Sequence, residues 1–298
     1  MLRHVLARGL LATTRWRGGV GVSRTARRQQ PTARNPGARA VSYPTELVMA
    51  MHKGSTWWLL LALLTSLGAL GAGYAAPGEA IVVVGTNSPA DAAAVNAAIA
   101  ASPEGAEIVL RGKFLLTDTI RLLGHRSYRG ESRAGTVLRQ ADGANLPALL
   151  VSAGWLANTP WTDVPTAVRH LRLEGNRQGN PGAPTAGLIV RSWLTVVEDV
   201  HIADMSSDGL RVTSVSRDGT RLKNTQVNGR IADCFIERSG RHGIYVEDPG
   251  NAVTDWTVCD NWIANSGADG LHLDNAAGWV VTRNHLYGVP RDAIYAHR

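Results

Sequence analysis

Four segments of sixteen residues in the C-terminal part of this chain align without gaps, and this repeat limits the possible fold more than any other feature. The segments span residues 197–212, 231–246, 258–273 and 281–296. Taking one equivalent position in each as a reference gives Asp208, His242, Asp269 and Asp292, which are 34, 27 and 23 residues apart. Repeats of this length with short strands indicate a solenoid in which each repeat forms one coil.

Side-chain polarity within each repeat follows the two-residue period of a β-strand. One apolar residue lies six places before the reference position, and two follow it at alternating places. The core-facing residues nearest the reference are predicted to be Ile202, Ile236, Ile263 and Leu286 before it, and Leu210, Ile244, Leu271 and Ile294 after it. We predict an all-β chain that folds as a right-handed parallel β-helix. Asn261 and Asn284, at equivalent positions, are expected to form a side-chain ladder between coils.

The residues ahead of the repeats predict a strand and a helix at the N-terminal end of the solenoid. Ile81–Val84 is a hydrophobic strand, and Asp91–Ala101 is an Ala-rich helix with Ser88 as its N-cap and Pro89 at its first position. We expect this capping helix to cover the first coil, whose edge and core would otherwise be exposed. Short β-type runs follow at residues 107–110, 114–116, 119–122, 136–139 and 149–151.

Two motifs give the chain a resemblance to a known group of proteins. Ser-Gly-Ala-Asp-Gly-Leu-His-Leu at 266–273 and Thr-Arg-Asn-His-Leu-Tyr at 282–287, together with the capping helix, resemble the pectin-lyase-like superfamily. The resemblance covers residues from about 80 to 298. It implies a parallel β-helix, and it leaves the activity open among polysaccharide lyases, glycoside hydrolases, epimerases, phage tailspikes and non-catalytic surface proteins. Neither the metal ligands of pectate lyases nor the polygalacturonase motifs can be matched residue by residue.

The positive charge of the chain is confined to its N-terminal part. The formal net charge is +7, but residues 1–76 hold ten of the 31 basic residues and one of the 24 acids. Residues 77–298 therefore carry 21 bases and 23 acids. A balance of this kind does not favour nucleic-acid binding.

Residues 51–76 have the features of a cleavable signal peptide. A short basic start is followed by an apolar run from Trp57 to Leu67, which is too short to span a bilayer, and by small residues around Gly73-Tyr74-Ala75. A retained membrane helix is the alternative interpretation. We expect a secreted or cell-surface protein with no stable membrane anchor after cleavage, and we interpret residues 1–50 as a spurious or disordered Arg-rich leader. The β-helix domain is predicted to span residues 77–298 and to be truncated at its C-terminus or covered there by a partner.

Strand alternation also predicts which side chains point outward after each reference residue. The first outward column is Arg211, Tyr245, His272 and Tyr295, and the second is Thr213, Glu247, Asp274 and His297. With the reference residues, these columns place acids, imidazoles, an arginine and tyrosines on one face. We predict catalytic roles for Glu247, His272, Asp274, Asp269 and His242, and substrate contacts for Arg211, Tyr245, Tyr295, Asp208 and Asp292.

This residue set is suited to a polysaccharide, because tyrosine rings stack on pyranose rings and carboxylates and imidazoles transfer protons. Carboxylate pairs on adjacent coils, Glu247 with Asp274 or Asp269 with Asp292, would serve glycoside hydrolysis. A lyase or epimerase would instead need a base and a cation that neutralises a uronate carboxylate, such as Arg211, Arg241 or Lys223. A Ca²⁺ ion held by acids is another such cation, although no residues are assigned as metal ligands.

Two alternatives remain open at this point. Asp208 and Asp269 each precede a glycine, and such aspartates commonly hydrogen-bond their own turn. The predicted function is a secreted polysaccharide lyase or glycoside hydrolase, and the alternative is a non-catalytic solenoid that binds glycan or cell-wall material. An insertion at residues 214–228 and a Gly/Pro-rich excursion at 175–186 are expected to form walls of a groove. Cys234 and Cys259 are predicted to be buried thiols rather than a disulfide, because they are two residues out of register.

Overall fold

In a computed structural model that describes residues 80–297, the chain forms successive coils of parallel strands. Three strand-bearing faces surround one apolar core, which confirms the predicted right-handed parallel β-helix. The predicted leader at 1–50 and the signal peptide at 51–76 lie outside the described residues. The boundaries of the β-helix domain therefore stay a prediction.

The first two faces belong to one sheet of twelve strands. The first face contains β1 (Ile81–Thr86), β2 (Glu107–Leu116), β4 (Arg126–Arg129), β7 (Thr166–Glu174), β9 (Val196–Ala203), β12 (Arg230–Ala232), β16 (Thr257–Cys259) and β19 (Val280–Thr282). The long strands β2, β7 and β9 continue into the second face, where they join β5 (Thr136–Gln140), β13 (Phe235–Glu237), β17 (Trp262–Ala264) and β20 (His285–Tyr287).

The third face is a sheet of seven strands. In order along the solenoid these are β3 (Ile120–Leu122), β6 (Ala148–Ser152), β8 (Ala186–Val190), β10 (Leu210–Thr213), β14 (Ile244–Glu247), β18 (Leu271–Asp274) and β21 (Ile294–His297). A separate pair, β11 (Gln226–Val227) and β15 (Val253–Thr254), connects two coils beyond this face. The short strands predicted from the sequence agree with this arrangement, except that the predicted runs 107–110 and 114–116 form one continuous strand, β2.

The corner between the first and second faces depends on one left-handed residue in each coil. Asp199, Asp233, Asp260 and Arg283 all have positive φ angles between 52° and 60°. After Asp260 and Arg283 the next residue closes the corner with its side chain: Asn261 accepts the backbone N–H of Cys234 at 3.0 Å and donates to Asn284 Oδ1 at 2.9 Å. Asn284 in turn accepts the N–H of Asn261 at 3.0 Å, which confirms the predicted asparagine ladder.

The core consists of stacked aliphatic columns, one from each face. Ile202, Ile236 and Ile263 on the second face and Leu210, Ile244 and Leu271 on the third are all fully buried. Each such side chain contributes about 1.5–3 kcal/mol by leaving water. Ile294 is in register with Leu271 as predicted, but it is 46% exposed.

Helix α1 (Asp91–Ala101) covers the first coil, as predicted, and buries Ala92, Val95 and Ile99 against the core. The predicted N-cap is wrong, because Ala90 occupies that position and no side chain caps the helix. The Asp91 carboxylate instead accepts the backbone N–H groups of Thr86, Ser88 and Leu115, and so joins the first turn of the helix to β1 and β2. Two shorter elements, α2 (Ala153–Leu156) and a 3₁₀ turn (Arg177–Gly179), lie in connections.

The two cysteines are free and buried, as predicted from their register. Cys259 pairs with Ala232 on the neighbouring coil, two residues before Cys234. Burial raises the pKa of the Cys234 thiol to about 12. Among the described residues, no helix is long and apolar enough to cross a membrane.

Candidate functional site

The predicted outward column on the third face forms as the sequence indicates. Arg211 pairs with Tyr245, Tyr245 with His272, and His272 with Tyr295, each one coil further along. Ring centroids are 5.3 Å apart for Tyr245 and His272 and 4.8 Å apart for His272 and Tyr295. We call the outward residues from Arg211 to Tyr295 and their immediate polar neighbours the third-face stripe.

The reference residues form a ladder of hydrogen bonds between coils. Asp208 Oδ1 accepts the backbone N–H of His242 at 3.3 Å, His242 Nδ1 accepts that of Asp269 at 3.3 Å, and Asp269 Oδ1 accepts that of Asp292 at 3.0 Å. The interpretation of Asp208 and Asp269 as residues that only stabilise their own turns is therefore wrong. Each side chain instead binds the backbone of the next coil and fixes the spacing of the stripe.

Asp208 is fully buried and forms salt bridges with two arginines. Arg211 donates to it from the same coil at 2.8 Å, and Arg241 donates from the next coil at 2.7 Å. Burial opposes ionisation, but the hydrogen bond from Arg241 and the charges of both arginines outweigh it and lower the pKa of Asp208. Asp208 thus positions cations and is not exposed to a ligand, contrary to its predicted role as a substrate contact.

Arg241 is a site residue that the sequence suggested only as one of several cations. Its guanidinium carbon lies 4.4 Å from the centroid of the Tyr245 ring, and that of Arg211 lies 5.8 Å away. Arg241 is 41% exposed, whereas Arg211 is 19% exposed. The accessible cation beside Tyr245 is therefore Arg241.

His242 is a buried neutral imidazole. Burial, with a smaller contribution from the charges of nearby His272 and Arg241, lowers its pKa to about 4, so it acts as an acceptor for the Asp269 N–H near pH 7. Its ring centroid is 4.4 Å from that of His272. Only 6% of the His242 side chain is exposed. His242 therefore packs on the core side of His272, and a direct catalytic contact with a substrate is not favoured.

His272 lies between two carboxylates. Its Nδ1 is 2.7 Å from Oδ2 of the buried Asp269, and its Nε2 is 3.2 Å from Oδ1 of Asp274. Burial raises the pKa of Asp269, whereas the hydrogen bonds from His272 and the Asp292 N–H and the nearby charges lower it. The second group of effects is larger, so the pKa of Asp269 is lowered. The ring orientation of His272 is therefore fixed by two neighbouring side chains.

Tyr245 connects the cationic and acidic parts of the stripe. Its hydroxyl donates to Asp274 Oδ2 at 3.1 Å. Burial and the negative charges of Glu247 and Asp274 raise the pKa of Tyr245 above its ordinary value. The phenol is therefore protonated near neutral pH and available as a proton donor.

The remaining predicted residues are placed less centrally. Glu247 accepts the Thr213 hydroxyl at 2.9 Å and lies 3.8 Å from Arg211, at the edge of the stripe. Asp292 contributes its backbone N–H to Asp269, and its side chain is exposed. His297, absent from the predicted set, lies 2.8 Å from Asp274 Oδ1 through its Nε2 atom. Its place in the second outward column was the signal that could have identified it.

The 214–228 insertion packs against another connection. Lys223 donates its backbone N–H to Pro160 at 2.8 Å, and Thr162 donates to Asn224 Oδ1 at 3.0 Å. The 175–186 excursion lies across the other end of the third-face strands, where Asn180 Oδ1 accepts the N–H of Asn145 at 2.8 Å. Whether these two connections act as groove walls stays a prediction.

No protein-family model matches the chain, and no curated protein sequence is significantly similar to it. Among solved structures, the A-module of the Azotobacter vinelandii mannuronan C-5 epimerase AlgE4 is similar at 19% identity with a TM-score of 0.57. The A-module of AlgE6 from the same organism is similar at 17% identity with a TM-score of 0.53. Each match covers 68% of this chain and 54% of the other, so the chain spans about half the length of these structures.

A likeness at these identities establishes architecture. The chain has the right-handed parallel β-helix fold that its resemblance to the pectin-lyase-like superfamily implies. Substrate and reaction have to be argued from its own residues.

Proposed function

We propose that the chain is a carbohydrate-active enzyme that binds an acidic polysaccharide along the third-face stripe and removes the proton next to a uronate carboxylate. One observation carries the proposal: the Tyr245 phenol contacts a guanidinium, Arg241, on one side and the His272–Asp274 pair on the other. The reaction class is that of a polysaccharide lyase or a sugar epimerase, both of which begin with this proton transfer.

Removal of such a proton places negative charge on the carboxylate and its neighbouring carbon. A fixed cation at that position stabilises the transition state more than the ground state. Both arginines contact Asp208, and Arg211 also lies 3.8 Å from Glu247, so Arg241 has the fewer carboxylate contacts of the two. We assign substrate-carboxylate binding to Arg241, the more exposed of the two.

Proton transfer is assigned to His272 and Tyr245. His272 is held by the buried Asp269, in the way a carboxylate orients a catalytic imidazole, and its ring is partly accessible. Tyr245 carries a proton near pH 7 and lies one coil away. The pair supplies a base and an acid on neighbouring coils, as either reaction class requires.

Glycoside hydrolysis is less well supported by the same residues. A hydrolase needs one carboxylic acid that stays protonated through a raised pKa. The pKa values of Asp208 and Asp269 are lowered, and both side chains are fully buried. Asp274 Oδ2 is already engaged as the acceptor of the Tyr245 hydroxyl.

The names of the two similar structures add independent support for the substrate class. Both are mannuronan C-5 epimerases by name, and mannuronan is a polymer of a uronic acid. We also infer that the protein is exported, which rests on the signal-peptide features of residues 51–76 alone.

The proposal is tested by incubating the protein with a panel of acidic and neutral polysaccharides. New ultraviolet absorbance from an unsaturated uronate marks a lyase, and new reducing ends without that absorbance mark a hydrolase. Tyr245→Phe is expected to lower kcat by at least about 100-fold, the usual contribution of a general acid or base. Tyr287→Phe, which removes a hydroxyl from an exposed tyrosine on the second face, is the matched control and should leave kcat unchanged.

Glycan binding without turnover is the second candidate, and a different observation favours it. On the second face, His201, Phe235 and Trp262 follow one another on successive coils, and Trp262 is 46% exposed. Exposed aromatic rings of this kind stack on sugar rings. Binding that is abolished by Trp262→Ala, with no turnover of any polysaccharide by the unmodified chain, would favour this function over the first.

A further inference from the structure

Three side chains of metal-ligating types lie together at the end of the third-face stripe. His272, Asp274 and His297 each offer one ligand atom, and these three atoms lie within 4.8 Å of one another. Asp274 Oδ1 is 3.2 Å from the His272 nitrogen and 2.8 Å from the His297 nitrogen. Ligands that share a metal at bonds of about 2.0–2.2 Å lie about 3–3.5 Å apart, so the 3.2 Å separation suits a common ion and the 2.8 Å separation has to lengthen slightly when the ion binds.

We infer that His272, Asp274 and His297 form a two-histidine, one-carboxylate site for a divalent first-row transition metal. The three donors leave the remaining coordination positions open toward solvent, since His297 is 45% exposed and its ring lies at the surface. Imidazole nitrogens are preferred by zinc and its neighbours, whereas calcium and magnesium prefer sites made only of oxygen.

The donors are held in place by a second set of residues. His272 Nδ1 is 2.7 Å from the buried Asp269 Oδ2, and Tyr245 donates its hydroxyl to Asp274 Oδ2 at 3.1 Å. Each contact engages the atom that faces away from the proposed ion. Carboxylates and hydroxyls in these positions orient metal ligands and commonly change metal affinity by about 10- to 100-fold.

The electrostatics of His272 give a reason for a cation at this point. With its Nδ1 proton donated to Asp269, a neutral ring directs the Nε2 lone pair at the Asp274 oxygen 3.2 Å away. Two acceptors in that arrangement repel each other unless a second proton or a metal ion lies between them. His297 adds a third donor atom to the same point.

A neighbouring triplet, His242, Asp269 and His272, is less suited to an ion. His242 Nδ1 already accepts the N–H of Asp269, and the Asp269 oxygens already bind His272 and the N–H of Asp292. Asp269 is also fully buried. The triplet with His297 differs because one of its nitrogens lies at the surface and its donor atoms contact one another.

Metal binding would have a consequence for the proposed function, and this part rests on that proposal. The ion would occupy the Nε2 lone pair that His272 needs as a base. Zinc is therefore expected to inhibit turnover of the polysaccharide, and a chelator is expected to restore it. The binding itself stands or fails separately, because it is measured without any glycan.

The test uses tag-free protein stripped with a chelator and then freed of it. Zn²⁺ affinity is measured by competition with a chromophoric chelator, and Co²⁺ is added to follow visible absorption bands of the bound ion. We expect one equivalent of Zn²⁺ to bind, Co²⁺ bands to appear and then disappear when Zn²⁺ is added, and Ca²⁺ not to compete.

His297→Ala and Asp274→Asn are expected to weaken Zn²⁺ binding by at least 10-fold and to abolish the Co²⁺ bands. His297 is the safer variant because its side chain is half-exposed at the surface. His285→Ala is the matched control, since it removes an exposed histidine from the second face, and it should bind Zn²⁺ unchanged. No stoichiometric binding, or equal affinity in the His297 and His285 variants, would overturn the inference and would leave the proposed enzyme activity untouched.

Discussion

Arg241 donates to the fully buried Asp208 of the preceding coil at 2.7 Å, and this contact connects the stability of the solenoid to the position of the more exposed of the two arginines beside Tyr245. Asp208 also accepts the backbone N–H of His242 beside it. The same carboxylate therefore joins two coils and holds the guanidinium over the Tyr245 ring.

Asp208→Asn is expected to lower the free energy of unfolding at pH 7 by about 1–3 kcal/mol, because it leaves two arginines without their shared counter-charge. The pKa of Asp208 is lowered in the folded state, so its stabilisation is complete above the unfolded pKa of about 3.9 and is lost as the pH falls through the folded pKa. Urea unfolding of both proteins between pH 7 and pH 3 measures this difference, which should shrink below about pH 4.

Asp255→Asn is the control for that comparison. Asp255 is exposed, and its carboxylate accepts the neighbouring Thr254 hydroxyl at 2.8 Å, so its substitution should leave stability nearly unchanged. Equal effects of the two substitutions at pH 7 would show that the Asp208 contacts do not stabilise the folded chain.

Gly243→Ala is predicted to be strongly destabilising although its backbone is unstrained. A Cβ atom there would lie 2.4 Å from Ile263 Cγ2 and 2.7 Å from the Gly270 carbonyl oxygen on the next coil. Separating the coils to make room costs about 1–3 kcal/mol, a typical penalty for overpacking. Gly250→Ala, where nothing lies within 4 Å of the added atom, should be neutral. Thermal unfolding of the two variants compares them directly, and similar midpoints would contradict the predicted coil contact.

The two thiols are expected to be unreactive in the folded chain. Cys234 and Cys259 are 2% and 3% exposed, and burial raises the pKa of each thiol. Because the thiolate is the reactive species, a chromogenic disulfide reagent at pH 8 should react slowly with the native protein. The unreduced protein should then show two reactive thiols once it is unfolded in guanidinium chloride. Fast native reaction, or fewer than two thiols after unfolding, would contradict the described core.

Strand alternation predicted the register of the fold, because one face of each strand must be apolar whatever the surface carries. Leu210, Ile244 and Leu271 fixed that register, and the outward column of Arg211, Tyr245, His272 and Tyr295 followed from it. The asparagine ladder was predictable for the same reason, since Asn261 and Asn284 occupy equivalent positions.

The chemistry of the stripe could not be predicted from alternation, because it depends on which side chains reach across coils. Arg241 lies in a turn whose direction has no periodic signal, yet it covers the Tyr245 ring. His242 appeared to be a surface imidazole, and only the structure places it beneath the stripe as an acceptor. The Ser88 cap was predicted wrongly because the helix begins at Asp91 after Ala90, and the Asp91 carboxylate binds N–H groups outside the helix.

The most direct test of the central claim follows hydrogen at the carbon next to the uronate carboxylate. The protein is incubated with an acidic polysaccharide in D₂O, and proton NMR follows the signal of that carbon-bound hydrogen with the unmodified chain and with Tyr245→Phe. We predict that the unmodified chain removes this signal through exchange, inversion or elimination. We predict that Tyr245→Phe removes it at least about 100-fold more slowly. A signal that persists on every acidic polysaccharide, with the β-helix intact by circular dichroism, would contradict it.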